Sequence, residues 1–149
     1  MNKLLQKFAP VSTILPLALL IVVGCATTNG SSQEGTKLAL SGNQEVPPVK
    51  TSATGSATIM IKADKSVSGS ITTTGIDATA AHIHESEAGK NGPVIVPFTK
   101  ASDGTWSIAA GAKLSDTQYA SYLAGNLYVN VHSAANKAGE IRAQLPPVK

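Results

Sequence analysis

The chain has 149 residues, 42% of them apolar and only 14% charged, with twelve Lys/Arg against nine Asp/Glu. Lys3 and Lys7 fall in an apolar N-terminal stretch; the ten Lys/Arg beyond it leave a charge of about +1, with no basic stripe to grip nucleic acid. Cys25 is the only cysteine, so no intramolecular disulfide can form and no thiolate cluster is available to a soft metal.

Residues 1–24 read as a secretory leader: a basic start, an apolar run to Val23, and prolines at 10 and 16 that argue against a spanning helix. Val22-Val23-Gly24-Cys25 resembles a bacterial lipobox. That resemblance implies a diacylglycerol thioether on Cys25, which becomes an N-acylated mature terminus. At roughly 0.8 kcal/mol per buried methylene, two or three acyl chains hold a folded domain on a membrane. Ala26 after the cysteine resembles enteric lipoproteins sent to the outer membrane. The expected location is therefore the bacterial cell envelope, outer membrane rather than inner. Residues 25–36, small and polar, read as the lipidated cysteine and a flexible tether.

From Lys37 to Lys149 the chain suits one domain with one core, filled mainly by Val, Ile, Leu and Ala. Period-two alternation predicts short strands near 37–41, 54–62, 66–73, 80–85, 93–99, 104–109, 126–132 and 140–145. The segments between them carry the Gly, Asp and Asn that turns prefer. The fold class expected is all-β, an antiparallel Greek-key-like sandwich or barrel. Pro47 and Pro48 in "QEVPP" cannot donate to a ladder, so they mark a strand break that Gln44 and Glu45 tie to the sheet. One helix is predicted near 115–124, with Ser115 and Gln118 as a capping box, Leu114 and Tyr119 as a staple and Gly125 as the stop. Tyr119, Tyr122 and Leu123 share its packing face.

All three histidines lie in strands. In "TAAHIHESEAG", His82 and His84 share one face and Ala81 and Ile83 the other; in "LYVNVHSAAN", Tyr128, Asn130 and His132 oppose Leu127, Val129 and Val131. The apolar set must be core, so the imidazoles lie on the outer face under turns or loops. The two stretches read as versions of one hairpin, with His84 matching His132 and Asn130 matching His82. If their strands are neighbours, three imidazoles meet at one ion. Roots about 6–7 Å apart along a strand let two rings turn onto a metal at roughly 2 Å. Imidazole ligation suits copper, with zinc as the alternative. Glu45, Glu140, Asn130 and Arg142 are candidates for supporting or anion-guiding roles; the plainer reading of Arg142 is a surface residue pairing with Glu140 or Glu45. Histidines that only fasten two hairpins together are the alternative to a metal site.

"LSGNQEVPPVKTSATGSATIMI", "AAHIHESEAGKNGPVIVPF", "GTW" and "LAGNLYVNVHSAANKAGEIRAQL" together resemble the CHRD (chordin) domain, which implies an extracytoplasmic all-β module without defining a reaction. "AHIHES" and "YVNVH…AGEIRAQL" carry a fainter likeness to the copper strands of Cu/Zn superoxide dismutase. That likeness implies copper on His82, His84 and His132, with Arg142 drawing anions. No histidine stands in "AGKNGPVIVPF" where the metal-bridging ligand of that enzyme would lie, and no zinc set accompanies it. Three functions follow: a membrane-anchored copper- or zinc-binding module, a structural or interaction module, and a dismutase-like redox enzyme. No nucleophile–base pair or phosphate loop points to a hydrolase, so catalytic residues are not assigned. No protein partner is read from the chain.

Overall fold

The computed structural model describes residues 34–149. The leader 1–24, Cys25 and all but the end of the tether lie outside the described residues. Within them, no helix is long and apolar enough to cross a membrane.

Eight strands form, each where alternation predicts one: β1 (Thr36–Ser41), β2 (Thr54–Ile61), β3 (Val67–Thr74), β4 (Ala78–Glu85), β5 (Val94–Ser102), β6 (Thr105–Ile108), β7 (Leu127–Ser133) and β8 (Ile141–Gln144). They close into an antiparallel barrel in the order β1-β2-β3-β6-β5-β4-β7-β8. The order has a Greek-key signature. From β3 the chain crosses to β4 through Gly75, Ile76 and Asp77, runs back through β5 to β6, and crosses again to β7. The crossing places β4 directly beside β7, so the two histidine strands are neighbours. The β1–β8 flank is thin: Ser41 opposite Arg142 is its one register pair.

One side chain in two from each strand enters the barrel. Ile59, Ile71, Ile83, Val129, Val131 and Ile141 are all at most 1% exposed. Each such side chain contributes on the order of 1.5–3 kcal/mol of apolar burial. On β3 the alternation is plain, with Val67 and Ile71 inside while Ser68, Ser70 and Thr72 stay exposed. β7 departs from it, because all seven of its residues are buried. Its inner face meets the core, and its outer face lies under loops.

The helix α1 (Asp116–Leu123) sits in the second crossing. Ser115 Oγ accepts from Gln118 N–H, and Gln118 Oε1 accepts from Ser115 N–H at 2.9 Å, so the capping box is complete. At the other end Gly125 takes φ +79°, a conformation other residues reach only with strain. Asn126 N–H then donates to Ser121 O and Gly125 N–H to Tyr122 O, a Schellman closure. Tyr119 and Tyr122 pack against the core as expected, whereas Leu123 stays 41% exposed.

"QEVPP" behaves as a strand break. Gly42–Gln44 make a single 3-10 turn after β1, and Gln44 donates from its side chain to Ala39 O at 2.9 Å.

Candidate metal centre

His82 faces Asn130 across the β4–β7 ladder, with His84 opposite Tyr128 and His132 opposite Ala80. The histidines are therefore not direct cross-strand partners. Their rings lean together over the His82–Asn130 pair, with centroids 4.9 Å (His82–His132), 5.5 Å (His82–His84) and 5.6 Å (His84–His132) apart. One ring nitrogen from each lies within 4.8 Å of the others. Nitrogens about 2.0–2.1 Å from a shared ion stand closer together than that outer limit, so the widest-spaced rings must close up to share one. His84 and His132 are buried and His82 is half-buried.

The hydrogen bonds decide which nitrogens are free. His84 Nδ1 lies 3.0 Å from Gly92 O, and His132 Nδ1 lies 3.0 Å from Lys137 O. A carbonyl can only accept, so both Nδ1 atoms carry the proton and both Nε2 atoms keep a lone pair. His84 Nε2 is buried with no hydrogen-bond partner. His132 Nε2 has only His82 Nδ1, at 3.1 Å. A carbonyl fixing one nitrogen while the other points at a shared space is the outer-shell arrangement of metal-bound histidine. The donor set therefore fits a divalent ion.

Charge favours the same state. Burial, then the nearby His132 and His84, push the His82 imidazolium down to about 4. Burial lowers His84 and His132 as well, partly offset by the hydrogen bonds to Gly92 and Lys137. The three rings are neutral and ready to donate lone pairs near neutral pH.

The loop Ser86–Pro93 covers the outer face and is held by a stack that the sequence pattern did not reveal. Tyr128 lies nearly parallel to His84 (12°, centroids 4.9 Å apart), and Arg142 also covers the tyrosine ring, its guanidinium carbon 3.5 Å from the centroid. Tyr128 Oη accepts from Gly92 N–H at 3.0 Å, so Gly92 binds Tyr128 through its N–H and His84 through its carbonyl. No side chain fits there: a Cβ on Gly92 would lie 1.8 Å from Glu85 O. A glycine in a polar turn two positions before a strand was the available signal.

Arg142 corrects the surface reading. It is 1% exposed and donates to Asn91 Oδ1 (3.1 Å), Lys90 O (3.0 Å) and Gln144 Oε1 (3.1 Å). Packing beneath the loop buries it, and its donors serve loop and β8 rather than Glu140. Glu140 instead accepts from Ser133 and from Thr51 (2.7 Å), which hold its carboxyl below the usual range despite burial. It pins β7 to the segment after the 3-10 turn. Asn130 is 1% exposed, donates to Ala138 O at 3.3 Å and keeps an unpartnered Oδ1. Neither glutamate belongs to the cluster of possible ligand atoms, so the three imidazoles stand without a carboxylate among them.

Glu45 is 4% exposed, with Oε1 unpartnered. Burial pushes its carboxyl up to about 7, against the opposing pull of Arg142, Asn130 and Val46. A carboxylate raised on folding contributes stability that is present below its ordinary 4.5 and lost as pH climbs through about 7. Depressed histidines do the reverse: their contribution is present above 6.5 and lost as pH falls, through about 4 for His82. The two slopes oppose each other between pH 4.5 and 6.5. Metal-free Glu45→Gln protein will therefore show stability rising with pH more steeply than the parent, measured by urea unfolding at pH 5 and 6.5. Equal slopes in the two proteins would mean that folding leaves the Glu45 carboxyl at its ordinary value.

An eight-stranded barrel with an imidazole cluster on its outer wall is the class that fold and site define. The CHRD domain family model matches residues 36–145, and the chain belongs to that family. No curated protein and no solved structure matches it.

Proposed function

We propose that this CHRD domain is a lipid-anchored module of the cell envelope that binds one copper or zinc ion through His82, His84 and His132, to buffer, store or pass it on. The observation that carries the reading is the buried, unpartnered Nε2 of His84, held ready by the carbonyl of Gly92 beside two more neutral imidazoles. The membrane half rests on the leader and on Val22–Cys25, where acylation of Cys25 would supply the anchor and the polar tether the reach. Copper is favoured over zinc by the general affinity order for imidazole sites. A dismutase-like activity draws less support, since Arg142 is buried under the loop instead of lining an approach to the rings.

Calorimetric titration with Cu(II) and Zn(II) tests the reading. One equivalent should bind more tightly than micromolar. At a free ion concentration of about 100 times Kd the stabilisation is roughly 2.7 kcal/mol, a Tm rise on the order of 10 °C for a domain of this size. Neutral imidazoles compete weakly for protons, so binding should persist near pH 5.5. Absence of binding tighter than micromolar for either ion would leave the histidines as fasteners of the hairpins.

A further inference from the structure

The rings are not sealed. A cleft of about 580 Å³ opens along the His82–His132 edge, and His84 is not part of its lining. Ala80, Val94 and Ala134 supply its apolar walls. Val94 is 49% exposed, one of the few large apolar side chains at the surface among the described residues. Two hydroxyls also line the cleft, but both are engaged: Thr79 Oγ1 donates to His132 O, and Ser133 Oγ donates to Glu140. That leaves Lys137, whose ammonium has no carboxylate within ion-pair distance among the described residues. No acidic side chain lines the space.

We propose that this cleft admits a small monocarboxylate with a short apolar tail, its head group reaching the open side of the ion held by the three imidazoles. The proposal rests on the metal reading and adds the ligand class. Three neutral imidazoles leave the charge of a divalent ion uncompensated, and Lys137 adds to it, so the head group must be an anion. The walls of Ala80, Val94 and Ala134 favour an alkyl or aryl tail over a free inorganic anion, and the volume lies in the range of small-molecule sites. Metals with three protein ligands keep a position for an outside ligand.

The test uses the full chain loaded with Co(II), whose visible absorption reports its ligands, titrated with hexanoate and, separately, with acetate. Hexanoate should change the visible bands and bind about tenfold or more tighter than acetate, as expected for partial burial of four extra methylenes. Val94→Ser, a neutral change at an exposed position, should abolish the preference for hexanoate while leaving the Co(II) spectrum intact. Lys137→Glu, which keeps the backbone carbonyl that holds His132, should weaken both carboxylates about tenfold. Equal affinity for hexanoate and acetate, or unchanged bands in a protein that shows a Co(II) spectrum, would overturn the cleft proposal alone. No Co(II) spectrum at millimolar Co(II), in a protein that also fails to bind Cu(II) and Zn(II), would overturn the metal reading and this proposal with it.

Discussion

Replacing His84 or His132 by alanine will lower copper or zinc affinity at least 100-fold, and the loss at His82 will be smaller. Removing an outer-shell partner of a metal histidine costs about 10- to 100-fold, and removing the ring itself should cost more. The asymmetry comes from preparation. His84 and His132 are buried and each is held by a carbonyl, so their lone pairs are aimed before any ion arrives. His82 is half-buried, and its Nδ1 lies on His132 Nε2 until a metal displaces that bond. Its ring must rearrange to bind, so it starts with less to lose. Metal-free stability should fall by about 1–3 kcal/mol in the His84 and His132 variants, the cost of leaving a buried carbonyl without its donor. Titration of the three variants by calorimetry, with urea unfolding of their metal-free forms, checks both statements. Fastening histidines would give the lost stability alone, with no ion dependence to lose.

The second large effect is expected at a residue with no functional group. Gly92→Ala should destabilise the metal-free protein by about 3 kcal/mol or more and weaken metal binding at the same time. The new methyl would stand 1.8 Å from Glu85 O and 2.8 Å from its carbonyl carbon, both backbone atoms that cannot turn aside. Relief requires moving the 86–93 loop off β4, and the carbonyl that fixes His84 moves with it. Gly89 in the same loop is the control. It has φ +77° but no atom within 4 Å of an added Cβ. Gly89→Ala should cost about 1 kcal/mol of backbone strain and leave affinity unchanged. If both variants lose affinity equally, a general loosening of the loop is responsible and the Gly92 contacts are not special.

Much of this was legible in the residues. Two-residue alternation marked every strand because each has one face in a single core. The helix between β6 and β7 was readable at both ends because Ser115, Gln118 and Gly125 act through local backbone geometry. The shared face of His82 and His84 followed from the same alternation. What local pattern does not carry is which strands become neighbours. Matching the two histidine hairpins put His82 and Asn130 in equivalent places, whereas the ladder sets them opposite each other. Nor does alternation tell whether an outer face meets water or a loop, since that depends on segments distant in sequence. Arg142 read as a surface residue for that reason. In the fold, Lys90 and Asn91 come back over β8 and bury it against Tyr128. Tyr128 shared the polar face in both readings, and only the folded chain stacks it on His84.

The barrel's thin flank has a mechanical consequence. β1 is held by six register pairs to β2 but by the single pair Ser41–Arg142 to β8. A pull on the chain preceding Thr36 falls first on the β1–β2 ladder at Thr36 and Ile59, and the Ser41–Arg142 rung lies at the far end of β1. Arg142 stands at that rung and also rests on the tyrosine that backs His84. The rung that closes the barrel and the imidazole cluster are thus joined by direct contacts through one arginine and one aromatic ring.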